Sequence, residues 1–302
     1  MVIDINPEFG CEMVLVVPYV HYLHNKGEDV SVRTSRGMRP FYYFLDDDKV
    51  EEVYDFRTLD NSCLNVCPNN WIHHNPHIEN PQAGVLDYSE WSPPPYKEYY
   101  KNEEFKFEKP FVVVSNRFNF EHGQPPVGYF NIKCLYEIFN YLTDKGYAVI
   151  YKRPKNNEFP LDHNEMLMVN NNIELDANVE GVGKMNDFQL TEHYDDVHLL
   201  DDIVNKNKDY TYNEVQLKLF SNSSGFISMA GGSGIFCSYF GTPNITYITT
   251  SGETRDNYFN ERSYYRKLSG ADIYPVLDKE EDIIERGYPD YSKLFKHMRK
   301  VF

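Results

Sequence analysis

Long apolar runs are missing from this 302-residue chain. No window approaches the ~18 consecutive apolar residues of a membrane-spanning helix, and no basic segment followed by an apolar one opens the sequence, so the expectation is a soluble, cytoplasmic protein. Cysteine is scarce: Cys11, Cys63, Cys67, Cys134 and Cys237 are odd in number and mostly scattered, which fits free thiols in a reducing compartment and not a disulfide framework. Positive charge is in deficit, with 30 Lys and Arg against 46 Asp and Glu and a net charge of -16. Such a chain repels nucleic acid and anionic membranes, so neither is an expected partner, whereas a small anion held by a few placed dipoles stays open. Repeats of solenoid type are absent too.

What is present describes a folded globule. Hydrophobic residues make up 41% and aromatics 16% of the chain, and the length favours two domains of ~150 residues each. Val2 to Ile5 reads as a strand, and Met13, Val16, Val17, Val20 and Leu23 mark one helix face that Lys26-Gly27 ends. Pro18 lies inside that helix and predicts a kink. Strands at Asp29 to Arg33 and Val50 to Phe56 flank a helix near Pro40 to Leu45, which is the rhythm of an α/β layer. From Arg57 to Glu108 the pattern dissolves, and the prolyl run Ser92-Pro-Pro-Pro95 reads as a stiff connector, placing a boundary near Lys109.

A second α/β block follows. Phe111 to Ser115 is a buried strand, Ile132 to Leu142 repeats apolar residues at helical spacing, and Tyr147 to Tyr151 returns as a strand. Residues 155 to 195 are too polar and irregular to assign, Val197 to Leu200 is a further strand, and Tyr212 to Phe220 a helix. Gly225 to Met229 and Asn244 to Thr250 are strands on either side of Ala230-Gly-Gly-Ser-Gly-Ile-Phe-Cys-Ser-Tyr-Phe240. The glycines sit where a helix begins, a position that presents unpaired N–H groups to an anion. Gly231, Gly232 and Gly234 leave out the Cβ that would block its approach. No lysine follows them, which excludes a P-loop, and the spacing is not the dinucleotide fingerprint.

Ligands of α/β sheets bind outside the carboxyl ends of the strands, often between domains. Asn116-Arg117 follows one such end, Lys152-Arg153 the next, and the glycine turn another. Basic residues at these ends are informative in so acidic a chain. Arg255, just past a strand, is a further phosphate candidate, balanced by a surface salt bridge as the alternative. Two other signals point away from metal. The Cys63, Cys67, His73, His74 and His77 spacing matches no zinc finger or ribbon, and Asp46 to Asp48 follows a helix, as a solvated turn does.

Three stretches carry a resemblance. Asn6-Pro-Glu-Phe-Gly-Cys-Glu-Met13 with its apolar helix resembles the first glycine loop of heptosyltransferase-like GT-B glycosyltransferases. Asn213 to Ser221 followed by Gly225 to Pro243 is similar to their donor-site helix, strand and diphosphate turn, and the basic run Tyr291 to Lys300 resembles their terminal helix. A fainter likeness is to small glycosyltransferases encoded by large DNA viruses of algae. The resemblance implies an acceptor domain at 1–108, a nucleotide-sugar donor domain at 109–285 and, at 286–302, a helix crossing back to the first domain. Both domains would be Rossmann-like, facing across a cleft. It implies a UDP- or GDP-linked sugar passed to a glycan hydroxyl, without a bound metal and with inversion. In that reading Gly231, Gly232, Ser233 and Gly234 hold the diphosphate, Asn116, Arg117, Lys152, Arg153 and Arg255 line it, and Glu214 bonds the ribose. Glu12 is the first choice of base, followed by Asp87 and His74; a carboxylate favoured by the helix start is the other reading of Glu12. A nucleotide-sugar epimerase of the same fold and a non-catalytic nucleotide- or sugar-binding protein are the alternatives.

Overall fold

A computed structural model describes residues 1–55, 57–58, 63, 66–68, 84–118, 126, 128–153, 173, 183–249 and 256–302. The first block forms a three-stranded parallel sheet in the order β1 (Val2–Asp4), β2 (Ser31–Ser35), β3 (Val50–Tyr54). Helix α1 begins at Phe9–Cys11, passes through a π-helical segment at Glu12–Val16 and continues as Val17–Asn25. The helix expected near Pro40 is a short 3-10 turn at Arg39–Tyr42.

The second block is a six-stranded parallel sheet, with β4 (Phe111–Ser115), β5 (Ala148–Lys152), β6 (Val197–Leu199), β7 (Gly225–Met229), β8 (Asn244–Ile248) and β9 (Ile273–Leu277). Their spatial order is β6-β5-β4-β7-β8-β9. Helices α3 (Ile132–Asp144), α4 (Asp187–Thr191), α5 (Leu200–Lys206), α6 (Tyr212–Phe220) and α7 (Gly232–Cys237) connect the strands, after α2 (Tyr96–Tyr100). Toward the C terminus come α8 (Tyr264–Lys267), α9 (Glu280–Arg286) and α10 (Ser292–Val301). β4, β5, β7 and β8 are buried on both faces, which is why each reads as a short continuous apolar run.

Alternation along β4 divides the core. Val112 and Val114 face α3 and α10, whereas Phe111 and Val113 join a cluster with Phe220, Phe236 and Phe240 that continues into Ile3, Met13, Val17 and Phe41 of the first block. The two halves therefore share one apolar core. The prolyl run expected to be a connector is packed into it: Tyr96 is fully buried, and Ser92 N donates to Pro18 O at 3.0 Å.

Pro18 explains the π-helical segment. It has no N–H, so the Val14 carbonyl one α-turn back and the Met13 carbonyl one π-turn back both lose a helical donor. Trp91 Nε1 donates to Val14 O at 2.7 Å, and the Tyr239 hydroxyl, from the other half, donates to Met13 O.

The terminal helix differs from expectation. Leu294 and Met298 of α10 enter the core on the α3 side of the second sheet, and the Phe302 ring lies against Gly225. Its apolar stripe is buried on the second block's own sheet, so this helix does not cross back. Among the described residues, no helix is long and apolar enough to cross a membrane.

Candidate functional site

Three of the expected loops meet at the C-terminal ends of β4 and β7. Asn116, directly after β4, is buried and clips its loop shut: Oδ1 accepts from Arg117 N (2.9 Å) and Phe130 N (2.8 Å), while Nδ2 donates to Phe130 O (3.0 Å) and Tyr151 Oη (3.1 Å). Arg117 Nε then donates to Gly128 O at 3.2 Å. The guanidinium lies across two glycines. A Cβ on Gly231 would stand 3.6 Å from Arg117 Nη1, and one on Gly128 3.2 Å from Nη2. Gly231 has φ +93°, a conformation side chains disfavour.

The first block closes the other side. A Cβ on Gly232 would be 2.9 Å from Phe9 Cδ1, and one on Gly10 3.4 Å from Gly232 Cα. Backbone thus meets backbone at van der Waals distance, and a methyl group at either position would press on a side chain, Phe9 at Gly232 and Ile235 Cδ1 (3.2 Å) at Gly10. Gly234 is needed for a different contact, since its Cβ would be 2.7 Å from Met229 O. Beneath the turn, Asn244 locks α7 to the sheet: Oδ1 accepts from Ser228 Oγ at 2.8 Å, and Nδ2 donates to Gly234 O at 3.2 Å. Ser233 is half-buried on the turn itself.

Three candidates, Glu12, Arg153 and Glu214, are engaged in other contacts than expected, and Asp87 is not. Glu12 is fully buried; its carboxylate accepts from Thr34 Oγ1, from Tyr42 Oη at 2.8 Å and from Arg57 Nη1 at 2.7 Å. A general base must reach the proton it removes, and this carboxylate is turned into the first block. Its role is to hold Arg57, which also donates to Pro7 O (2.8 Å) and so anchors the segment that leads into Phe9 and Gly10. Arg153 is committed to Asp187 through Nε (2.6 Å) and Nη2 (2.8 Å), with its guanidinium carbon 4.3 Å from the Phe188 ring centroid. Glu214 closes a capping box on α6, accepting from Thr211 N at 2.7 Å and Thr211 Oγ1 at 2.8 Å. Thr211-x-x-Glu214 is the sequence signature of such a box. Asp87 is exposed and accepts from Ser89 N at 3.0 Å, a bond that holds its carboxyl below the usual range.

Lys152 ends β5, one strand beyond Arg117. It is buried to 8% exposure, with Nζ 5.9 Å from the Phe220 ring centroid and 5.8 Å from that of Phe236. Desolvation lowers its ammonium to a pKa of about 8, against smaller opposing effects of Cys237 and Asp201. His74, Arg255 and the His73 and His77 of the cysteine-histidine stretch lie outside the described residues. All five cysteines are free thiols, and Asp47–Lys49 is a 3-10 turn, as a solvated Asp run requires. Sequence reading missed Asp187 and Tyr151, which brace Asn116 from below: Tyr151 Oη donates to Asp187 Oδ2 at 2.8 Å. Asp187 falls in the polar stretch that carries no periodic signal.

No protein-family model and no curated protein matches the sequence. Among solved structures the chain is similar to ADP-heptose lipopolysaccharide heptosyltransferase II of Escherichia coli, with a TM-score of 0.53, 10% identity, and 99% of this chain and 98% of that one covered. It also matches the iron-containing dodecameric glycosyltransferase TibC of enterotoxigenic E. coli at a TM-score of 0.39 and 12% identity, over 82% of this chain and 57% of that one, and nothing is argued from that match. The full-length likeness shows the fold, which is GT-B.

Proposed function

We propose that the chain is a glycosyltransferase moving a sugar from a nucleoside-diphosphate sugar, UDP- or GDP-linked, to a glycan hydroxyl with inversion. The observation that carries this reading is the Arg117 guanidinium lying across Gly128 and Gly231 where the two halves meet at Gly10 and Gly232. In the transfer the bond from the sugar's anomeric carbon to the diphosphate oxygen breaks as an acceptor oxygen attacks, and negative charge collects on the leaving diphosphate. Arg117, clamped by Asn116 and Gly128, supplies a fixed positive charge at that point without reorganising, the part a metal ion plays in other transferases. Gly232, Ser233 and Gly234 supply the close backbone. The acceptor proton passes to a base, for which Asp87 and His74 are proposed, because the Glu12 carboxylate is engaged with Arg57.

The fold relative is named for an ADP-linked donor, so the test uses calorimetric titration with UDP, GDP, CDP and ADP, each with Mg²⁺ and with EDTA. One nucleotide is expected to bind with micromolar affinity, indifferent to EDTA, and to weaken by more than about tenfold in Arg117→Ala, the loss expected for a charged hydrogen bond. Absence of binding by all four refutes the donor site.

A further inference from the structure

The last two helices carry opposite charges that the chain does not neutralise. On α9, Glu281, Ile284 and Glu285 recur at the i, i+3, i+4 spacing of one helix face, and all three are exposed. Ile284 is exposed to 69%, and Tyr288, just past the end of the helix, to 62%. On α10, Lys293, Lys296 and Lys300 recur at i, i+3, i+7 with Arg299 exposed beside them, and the helix bears no acidic residue. Its buried side, Leu294 and Met298, is the opposite one. None of these exposed acids and bases makes an ion pair among the described residues; Arg286 is bound to Asp278, and Lys300 Nζ stands 5.6 Å from the Tyr274 ring centroid.

The dipoles of the two helices do not account for the pattern. A helix favours acids in its first turn and bases in its last, which covers Glu281, Arg299 and Lys300. Glu285 lies in the last turn of α9 and Lys293 in the first turn of α10, each at the end where its sign is unfavourable. Nor do the two helices cancel one another within the chain. The Asp278 carboxylate accepts from Arg286 Nη2 at 2.7 Å and from Asp290 N at 2.8 Å, which fixes the turn between them with the acidic and basic faces unpaired.

We propose that a second copy of this chain covers both faces in a two-fold dimer, with α9 of one protomer along α10 of the other. Such an interface is self-complementary: the acidic face of one copy meets the basic face of its partner, and the symmetry makes the same contact twice. Exposed ion pairs are individually weak, so the contact draws on several at once and on burial of Ile284 and Tyr288 among them. A net charge of -16 on each chain opposes non-specific association. Pairing is therefore restricted to surfaces where the sign is locally reversed, and α10 is one. The inference does not depend on the donor site.

The experiment is sedimentation equilibrium on the full chain with each helix charge-reversed. Wild type is expected to show a reversible monomer–dimer equilibrium. Glu281→Lys with Glu285→Lys, and separately Lys293→Glu with Lys296→Glu and Lys300→Glu, should each raise the dissociation constant by more than about tenfold. All five residues are exposed, so both variants should keep the wild-type circular dichroism. An equimolar mixture of the two variants should recover a dimer, because the reversed α9 of one then meets the reversed α10 of the other. The α9 variant is also the less negatively charged chain, so repulsion between whole molecules would predict stronger association for it, the contrary result. Wild type that stays monomeric up to about 0.2 mM overturns the inference; binding of that monomer to mixed phosphatidylcholine and phosphatidylserine vesicles would then assign α10 to a membrane surface instead. A dimer unchanged by both reversals overturns it too, as does a loss that the mixture fails to restore.

Discussion

Lys152 is buried without an ion pair among the described residues, so removing its charge should stabilise the protein. Lys152→Met keeps an unbranched apolar side chain between Phe220 and Phe236 and deletes the charge. The fall from 10.5 to about 8 corresponds to roughly 3 kcal/mol at about 1.4 kcal/mol per unit. The sign follows from proton counting. Between pH 8 and 10.5 the unfolded chain holds a proton at Lys152 that the folded chain has lost, so wild-type stability rises through this window and the penalty is fully present below it. Urea unfolding at pH 7 should find Lys152→Met more stable by about 3 kcal/mol, and at pH 9.5 the gap should shrink to about 1 kcal/mol. A variant that is less stable than wild type, or a gap that does not change with pH, refutes the reasoning.

Three other substitutions probe the scaffold around the site. Asp187→Asn strips the carboxylate from buried Arg153 and should cost about 3 to 5 kcal/mol in urea unfolding. Tyr239→Phe leaves the Met13 carbonyl without its donor and should cost about 1 to 3 kcal/mol by the same measurement. Gly128→Ala drives a Cβ to 2.2 Å from Thr249 Oγ1; it should destabilise by about 1 to 3 kcal/mol, and adding Thr249→Ala, whose hydroxyl makes no hydrogen bond, should recover most of that loss. Failure of the double mutant to recover would mean that the Arg117 loop itself, not the hydroxyl, resists the methyl group.

The parts legible in sequence were those whose signal is local. β4 and β7 were read to the residue because strands buried on both faces leave uninterrupted apolar runs between turns. Arg117 and the glycine turn could be expected near one another because a parallel sheet puts all its loops of one kind at one end. The errors share the opposite property. Glu12 looked like an open loop carboxylate because its partner Arg57 lies 45 residues on, in a stretch without periodicity. Arg153 looked like a clamp because Asp187, 34 residues away, sits in the unassigned polar region. A cation's availability depends on which acid the fold brings to it, and spacing in sequence does not encode that. Glu214 is a different case, since Thr211-x-x-Glu214 was a local pattern and was passed over in favour of a ligand role.

Pro18 connects the local irregularity to the site. Pro18 offers no N–H to the α1 carbonyls behind it, and the chain supplies side-chain donors there, Trp91 from the segment before α2 and Tyr239 from the segment after α7. Tyr239 follows α7, which begins at Gly232, and Met13 lies in the same helix as Phe9 and Gly10, so this bond ties together the two backbones that meet at the glycines. Phe9, Phe41 and Phe236 pack edge to face around it, with ring centroids 5.3 to 6.2 Å apart. Opening the cleft at this point would break the Tyr239 bond, expose those rings and leave a buried carbonyl unsatisfied at once. The contact between Gly10 and Gly232 is therefore a fixed point between the two halves, held by side chains from both.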